Sequence, residues 1–213
     1  MRTSVYVDGF NLYYGLFRRR PPLTPPPPKW LDLRKLCELL LPKHEIQRIR
    51  YFTALIEERG ENQAQRRNQQ AYLTALRTVA GLTIHYGHFR TRKRWSRLVS
   101  PPADGPDTVR VYRTEEKASD VNLATFLVSD GYEGDYEAAA VVSADSDLEQ
   151  PIELVRRKLG LPIYLITPQK HVPVQLRRAV SGIRRIRAGV CSQCELPSPI
   201  KSPHGLLTKP AGW

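Results

Sequence analysis

The chain has 213 residues, of which 41% are hydrophobic, so it can form one domain with a hydrophobic core. Its 33 lysines and arginines outnumber 21 aspartates and glutamates, and the net charge of +12 favours nucleic acid as a partner. The sequence has no apolar run near the roughly 20 residues of a membrane-spanning helix, Asp8 interrupts any signal-peptide core, and three cysteines make no disulfide framework. We therefore expect a cytoplasmic protein without a membrane partner.

Short apolar runs, which predict strands, alternate along the chain with segments whose apolar residues recur every three or four positions, which predict helices. The predicted strands are residues 2–7, 46–53, 83–89, 138–143 and 162–166. The predicted helices are residues 11–17, 30–41, 62–79, 120–129, 148–159 and 173–179. Between the first two helices, arginines 18–20 and the proline run 25–28 predict a stiff extended loop.

This alternation predicts a Rossmann-like, three-layer α/β fold with a central, mostly parallel sheet and helices on both faces. The expected strand order is 3-2-1-4-5, with the switch point between the first and fourth strands. We expect one domain over residues 1–188, with a basic irregular or hairpin insertion at about 90–113. The proline-rich tail, 189–213, is expected to lack regular structure and to wrap over the body or be mobile.

Four aspartates fall where this fold would bring them together. Asp8 ends the first strand, Asp145 and Asp147 follow the fourth strand, and Asp120 opens the preceding helix. Four carboxylates at one sheet edge repel one another unless a cation holds them, and hard oxygen ligands suit Mg²⁺ or Mn²⁺. Taken singly, Asp8 and Asp147 could instead cap the helices that follow them, and Asp120 could favour the positive end of its own helix.

Three segments carry a resemblance to a known family. Residues 5–12 (VYVDGFNL), 117–123 (KASDVNL) and 141–148 (VVSADSDL) resemble the signature blocks of the NYN domain family, within the PIN-like superfamily of metal-dependent nucleases. The tail resembles that of the LabA-like branch. The resemblance covers residues 2 to about 167. It implies a PIN-like fold, Mg²⁺ or Mn²⁺ as the metal, and RNA as the substrate.

The resemblance also implies roles for individual residues. Asn11 matches the family's polar residue after the first strand, although it could simply cap the helix there. Ser143 matches a small residue before the last acidic pair and is a candidate substrate contact. Glu116 is an additional candidate, and the alternative for it is a solvated charge at a helix start. The acidic metal-binding and catalytic set is matched by Asp8, Asp120, Asp145 and Asp147.

Basic segments supply candidate RNA contacts. The insertion interleaves cations with an aromatic ring, a combination that neutralises phosphates and stacks on bases, although a solvated hairpin is the alternative. Arg18 and Arg19 leave the first helix beside the predicted site. The candidate contacts in the insertion are Arg92, Lys93, Arg94 and Trp95.

Cys191 and Cys194 have the spacing of a zinc-binding pair, but a structural zinc site needs four ligands and only His204 lies near them in sequence. We do not expect this pair to bind zinc.

The sequence therefore predicts a metal-dependent ribonuclease, and we expect an endoribonuclease. A metal-activated water would attack the phosphodiester and leave a 5′-phosphate and a 3′-hydroxyl. The alternative is a non-catalytic regulatory module that binds RNA or a nucleotide in the same groove. A haloacid dehalogenase-type phosphatase would need an aspartate at position 10, where this chain has Phe10. Besides RNA, a homo-oligomer or a regulatory protein remains an open partner.

Overall fold

A computed structural model describes residues 1–18, 21–56, 62–202 and 205–213. The elements of the N-terminal half are β1 (Arg2–Asp8), α1 (Gly9–Phe17), α2 (Leu33–Leu40), β2 (Glu45–Thr53), α3 (Gln63–Leu76), β3 (Leu82–Tyr86) and β4 (His88–Arg97). Those that follow are β5 (Thr108–Lys117), α4 (Ser119–Tyr132), β6 (Ala138–Val142), α5 (Glu149–Leu154), β7 (Ile163–Thr167), α6 (Val174–Ala179), β8 (Gly182–Arg185), α7 (Ala188–Cys191), β9 (Ile200–Ser202) and β10 (Gly205–Leu207).

The central sheet of the described residues has six parallel strands in the order β3-β2-β1-β6-β7-β8. The predicted α/β class and the order 3-2-1-4-5 are confirmed for the five predicted strands. The order differs from the prediction by one added strand at the edge, β8. Arg184 and Arg185 give β8 a charged, exposed end, which is typical of an edge strand. Because these arginines interrupt the apolar pattern, the sequence did not predict this strand.

Side chains of β1 alternate between the two faces of the sheet and enter two hydrophobic clusters. Val5 and Val7 pack with residues of α1, α2 and α3, whereas Tyr6 packs with residues of α4, α5 and α6. The neighbouring strand β6 is apolar and buried throughout, as expected for a central parallel strand with helices on both faces. The sheet edge that carries the candidate site is therefore supported from both sides.

The basic insertion is a hairpin of two ten-residue strands, β4 and β5, paired from His88 with Lys117 to Arg97 with Thr108. It is longer than the predicted insertion at 90–113, because the predicted third strand ends at Tyr86 and Phe89 already belongs to the hairpin. Gly87 separates β3 from β4, and its N–H donates to the Thr53 carbonyl at 2.8 Å.

The prediction that the tail lacks regular structure is wrong, because the tail contains α7 and the β9–β10 hairpin. It does wrap over the body. The tail is held by Trp30, which is fully buried. The indole Nε1 of Trp30 donates to the Pro197 carbonyl at 3.1 Å, and the backbone carbonyl of Trp30 accepts from the Leu196 N–H at 2.9 Å. The Trp213 ring lies 6.3 Å from that of Trp30, edge to face.

All six predicted helices are present with shifted ends, and two of them differ in ways that local structure explains. The predicted helix 30–41 begins at Leu33, because the Asp32 carboxylate caps it by accepting from the Lys35 N–H at 3.0 Å. The predicted helix 148–159 is a 3-10 turn (Ser146–Leu148), then α5, then a π-helical turn (Val155–Leu159). None of the helices in the described ranges is long and apolar enough to cross a membrane.

Candidate active site

The candidate site lies at the carboxyl edge of the sheet, where the strand order reverses between β1 and β6. Val7 pairs with Val142 in the parallel register of these strands. The residues that follow, Asp8 on one side and Ser143 to Asp145 on the other, therefore leave the sheet side by side. A switch point of this kind is where open α/β sheets bind ligands.

Asp8 is 6% exposed and both of its carboxylate oxygens are held. Oδ1 accepts from the Asn11 N–H at 2.9 Å, so Asp8 caps α1. Oδ2 accepts from the Ser143 hydroxyl at 2.9 Å, and that hydroxyl in turn accepts from the Asp145 N–H at 3.1 Å. The capping alternative for Asp8 is thus compatible with a place in the site.

The carboxylates of the site oppose one another's ionisation. Burial raises the pKa of Asp8 to about 6, the hydrogen bonds from Asn11 and Ser143 oppose this shift, and nearby carboxylates add to it. The pKa of Asp120 is also raised, by burial first and then by three carboxylates: Asp145, Glu116 and Asp147. Hard oxygen donors that repel one another in this way fit a divalent cation, whose charge would offset their repulsion.

A cleft of about 420 Å³ opens between these side chains. Three of the four predicted aspartates line it, Asp8, Asp120 and Asp145, together with Glu116. Asp147 does not line the cleft. It is exposed on the 3-10 turn, where its N–H donates to Asp145 Oδ1 at 3.0 Å, so Asp145 is the capping residue of that turn.

Glu116, near the end of β5, is half-buried and holds the start of α4. Its Oε1 accepts from the Ser119 hydroxyl at 2.8 Å and from the Ser119 N–H at 3.3 Å. Ala118, the N-cap residue, has φ of 81° and no polar side chain, so Glu116 serves as the cap in its place. A Cβ at Gly87 would overlap Glu116 Oε1 and the Lys117 carbonyl, which explains why the chain has glycine there.

Asn11 and Gln169 contribute uncharged polar groups to the cleft wall. Asn11 Oδ1 accepts from the Ala144 N–H at 3.1 Å and from Gln169 Nε2 at 3.4 Å. Asn11 therefore ties α1 to the loop after β6 and does not cap its own helix. Gln169 was not among the predicted site residues, although its place two residues after β7, at the same sheet edge, is a signal that could have indicated it.

Aromatic side chains form the remaining wall and continue into a larger cavity. The rings of Phe10 and Phe89 lie 5.7 Å apart, edge to face, and both line the cleft with Tyr14. The same three residues line the adjoining cavity of about 580 Å³, whose other walls include Tyr51 and Trp213. Sequence reasoning missed these aromatics, because apolar residues around a strand end look like ordinary core residues.

The predicted RNA contacts do not lie together on one surface. Arg18 lines the larger cavity and not the acidic cleft, and Arg19 lies outside the described residues. Arg92 and Arg94 alternate along β4 with Lys93 and Trp95, so the two pairs lie on opposite faces of the hairpin. Ser143 is 1% exposed and occupied by its two hydrogen bonds, which differs from the predicted substrate contact.

A second acidic group lies near the end of α4, away from the cleft lining. Ligand oxygens of Asp130, Glu133 and Asp135 lie within 4.8 Å of one another, close enough to share a cation. Arginines already neutralise this group. Arg50 donates to both Asp130 oxygens at 2.8 Å, and Arg48 donates to Asp135 Oδ2 at 2.6 Å. We therefore interpret the group as an ion-pair network that fixes α4 to β2.

The cysteines do not form a metal site in the described ranges, where the acidic group near the end of α4 is the only cluster with metal-ligand proximity. Cys37, Cys191 and Cys194 are buried free thiols. Burial raises the pKa of Cys37 and Cys191 to about 12, so these thiols stay protonated at neutral pH and pack as small apolar side chains. His204 lies outside the described residues.

The family model for the NYN domain matches residues 2–186. The chain belongs to the NYN domain family. The family indicated by the three sequence segments is thus confirmed. NYN domains are generally nucleases, with RNA-related functions and a typical dependence on divalent metal ions.

The chain is also similar to two other proteins, one in sequence and one in structure. The chain is 29% identical over 247 residues, covering 100% of the chain and 75% of the relative, to 6-hydroxy-3-succinoylpyridine 3-monooxygenase HspA from Pseudomonas putida. A crystal structure of a protein of unknown function from Vibrio parahaemolyticus aligns with a TM-score of 0.50 and 8% identity, over 87% of this chain and 93% of that one. That similarity supports the fold alone.

Proposed function

We propose that the chain is a metal-dependent ribonuclease that hydrolyses RNA phosphodiester bonds at the acidic cleft. The observation that carries this proposal is the meeting of Asp8, Asp120 and Asp145, from three separate parts of the chain, with Glu116 around one cleft. Membership of a family of generally metal-dependent nucleases agrees with it. On a chain of net charge +12, such a cleft is an acidic site within a basic protein.

The donor set fits Mg²⁺ or Mn²⁺, because it consists of carboxylates with raised pKa values at Asp8 and Asp120. Asp8, Asp120 and Asp145 would hold the ion together with several waters, because these carboxylates do not all lie within the 4.8 Å that joins the group near the end of α4. Asp147 lies close enough to raise the pKa of Asp120 and to complete the site from its rim. When bound, such an ion would acidify water and stabilise negative charge on the phosphodiester.

The surrounding residues position this set. The Ser143 hydroxyl and the Asn11 N–H each fix one oxygen of Asp8, so the carboxylate cannot rotate freely. Asn11 and Gln169 present amide groups that can orient a phosphate or a water at the cleft wall. Glu116 faces the cleft while anchored to Ser119, which suits it to accept a proton from the attacking water. We assign Ser143 a positioning role and no substrate contact.

RNA is the proposed substrate because cationic side chains lie in the cavity and on the hairpin next to the acidic cleft. Arg18 lines the adjoining cavity, and the β4–β5 hairpin, which begins at the cleft, carries the predicted contacts Arg92, Lys93, Arg94 and Trp95. Attraction of the phosphate backbone to these cations would be sequence-independent and would weaken as the salt concentration rises.

The test is cleavage of labelled single-stranded RNA with Mn²⁺ or Mg²⁺ by the wild type, Asp8→Asn and Asp145→Asn. The matched control is Glu133→Gln, which neutralises a carboxylate of the group near the end of α4 instead. We expect activity in the wild type and control, and none in EDTA or in the two aspartate variants. Cleavage that survives in Asp145→Asn, or that Glu133→Gln abolishes, would contradict the assignment.

A second candidate is oxidation of a small aromatic heterocycle, as the name of the Pseudomonas relative describes for that protein. The observation that favours it is the cavity of about 580 Å³, which is rich in aromatic side chains and shares Phe10, Tyr14 and Phe89 with the cleft. The discriminating measurement is O₂ uptake with 6-hydroxy-3-succinoylpyridine and a reduced nicotinamide cofactor. Uptake that depends on this pyridine, without RNA cleavage, would replace the nuclease proposal.

A further inference from the structure

The β4–β5 hairpin has two chemically different faces. Directly opposed residues of an antiparallel pair lie on the same face, and successive pairs alternate between faces. One face, which we name the aromatic face, contains five pairs. From the base outward they are Phe89 with Glu116, Thr91 with Thr114, Lys93 with Tyr112, Trp95 with Arg110, and Arg97 with Thr108. The opposite, cationic face contains Arg90, Arg92, Arg94, Arg113, Lys117 and one acidic residue, Glu115.

The aromatic face begins inside the candidate active site. Phe89 and Glu116, the pair at its base, both line the acidic cleft. Thr114, one pair further out on this face, lines the adjoining cavity with Phe89. Trp95 lies six residues beyond Phe89 along β4, and at about 3.4 Å per residue this gives a surface of roughly 20 Å that leads away from the cleft.

Two large rings on this face are exposed to solvent. Trp95 is 68% exposed and Tyr112 is 70% exposed. Each has a cation beside it, since Lys93 Nζ lies 5.4 Å from the centroid of the Tyr112 ring and Arg110 Cζ lies 6.0 Å from that of Trp95. Exposed aromatic rings interleaved with cations form the surface on which single-stranded nucleic acids stack their bases and neutralise their phosphates.

The cationic face lacks this combination. Its central carboxylate, Glu115, pairs with Arg113 and with Lys117, each at 2.9 Å, which neutralises part of the charge. The outer pairs of this face, Arg92 with Arg113, Arg94 with Val111 and Ser96 with Val109, contain no aromatic ring. The one ring on this face, the imidazole of His88, lies in the pair at the base of the hairpin. The outer part of this face can attract a phosphate backbone but offers no ring for a base to stack on.

We propose that the aromatic face binds single-stranded RNA and leads it to the acidic cleft, with bases stacked on Tyr112 and Trp95 and phosphates beside Lys93 and Arg110. The second part of this inference, that the bound RNA leads to the cleft, rests on the proposed function. A duplex does not fit, because its bases are already stacked on one another and their faces are not available to the rings.

The experiment measures binding of a fluorescent RNA of about 16 nucleotides, in single-stranded and duplex form, by anisotropy in EDTA. The double variant Trp95→Ala/Tyr112→Ala should bind the single strand roughly 100-fold more weakly, at about tenfold for each lost stacking ring. Trp95→Phe/Tyr112→Phe should retain binding, because phenyl rings still stack. Equal affinity of the alanine variant and the wild type, or loss of binding in the phenylalanine variant, would overturn the proposal.

A charge-matched comparison separates the two faces. Lys93→Ala/Arg110→Ala and Arg92→Ala/Arg94→Ala each remove two positive charges, one pair from each face. The first should weaken single-strand binding more strongly than duplex binding, whereas the second should weaken both to the same small extent. Equal losses in the two variants, or a wild type that binds the duplex as tightly as the single strand, would overturn the proposal.

Binding in EDTA does not depend on catalysis, so the two proposals fail in different ways. Single-strand binding that requires Trp95 and Tyr112, without cleavage in Mn²⁺ or Mg²⁺, would leave the aromatic face standing and reject the nuclease. Cleavage that requires Asp145, with RNA binding unaffected by the two rings, would keep the nuclease and reject the aromatic face.

Discussion

The Ser143 hydroxyl donates a 2.9 Å hydrogen bond to Asp8 Oδ2 and so joins the ends of the two central strands. The same hydroxyl accepts from the Asp145 N–H at 3.1 Å. The buried Ser143 side chain therefore fixes the carboxylate of Asp8 on one side of the switch point and the backbone of Asp145 on the other. The relative position of Asp8 and Asp145 depends on this contact, because their own charges repel.

Replacement of Ser143 by alanine should loosen the site. Asp8 loses a donor in a buried position, which should lower the free energy of unfolding by about 1–3 kcal/mol. The hydrogen bond from Ser143 lowers the pKa of Asp8, so its loss should raise that pKa further. We expect cleavage to need a higher Mn²⁺ concentration in Ser143→Ala, measured as the midpoint of an Mn²⁺ titration.

The control for this variant is Ser129→Ala, whose hydroxyl donates to the exposed Glu133 at 2.8 Å. It should keep the wild-type midpoint. An unchanged midpoint in Ser143→Ala would show that the hydroxyl does not position Asp8.

The raised pKa of Asp8 predicts a stabilising effect of Asp8→Asn in EDTA. Because the folded-state pKa is about 6 against an ordinary 3.8, the folded protein binds the proton more tightly than the unfolded chain. Stability from this group is therefore present below pH 3.8 and is lost as the pH rises to about 6. The loss amounts to about 3 kcal/mol at 1.36 kcal/mol for each pH unit.

The Asp8→Asn substitution would remove this cost, because the new amide carries no charge. Its oxygen can still accept from the Asn11 N–H, and its NH2 can donate to the Ser143 hydroxyl in place of accepting from it. Urea unfolding in EDTA should give Asp8→Asn a higher free energy of unfolding than the wild type above pH 6, and an equal one below pH 3.8. A variant that is less stable than the wild type above pH 6 would contradict this account. If Asp8→Asn is more stable than the wild type and no longer cleaves RNA, the charge of Asp8 is kept for function at a cost in stability.

The meeting of Asp8 and Asp145 at one sheet edge could be predicted from the sequence, because it depends only on chain direction. Asp8 and Asp145 follow apolar strands, and parallel strands end at one edge whatever the details of packing. Gln169 follows β7 at that same edge, but an uncharged amide gave no comparable signal. The burial of Ser143 was not predictable, because it depends on how closely the ends of β1 and β6 approach each other.

The hairpin illustrates a different limit. The run from Arg92 to Trp95 reads in sequence as one basic and aromatic patch, but alternation along β4 divides it between two faces. Which residues of β5 join each face depends on the register that pairs Lys93 with Tyr112, and register is a property of the folded pair. The edge strand β8 was missed for a related reason, since a strand that ends in two arginines forms only against the free edge of β7.

Gly87→Ala should lower cleavage by displacing Glu116, although Gly87 itself does not line the cleft. A Cβ at this position would overlap Glu116 Oε1 and would lie 2.8 Å from the Ser119 hydroxyl, so the base of the hairpin and the start of α4 must move apart. We expect lower cleavage and a loss of about 1–3 kcal/mol in the free energy of unfolding, as for overpacking. Gly189→Ala is the matched control, because a Cβ there meets nothing within 4 Å. Wild-type cleavage by Gly87→Ala would show that the place of Glu116 does not matter.

The Arg50 guanidinium should support stability and not catalysis. It donates at 2.8 Å to both oxygens of Asp130, whose side chain is 3% exposed, and Tyr6 donates to the same carboxylate at 2.7 Å. Arg50→Ala would leave a buried charge without its main partner and should lower the free energy of unfolding by about 3–5 kcal/mol. Urea unfolding measures this loss.

The control for Arg50 is Arg2→Ala, which breaks an exposed pair with Glu137 at 3.1 Å and should cost less than about 1 kcal/mol. Under conditions where Arg50→Ala remains folded, its Mn²⁺ midpoint for cleavage should equal that of the wild type, because the acidic group with Asp130 does not line the cleft. A shifted midpoint would place the functional metal at that group, and the carboxylates at the switch point would then lose the role proposed for them.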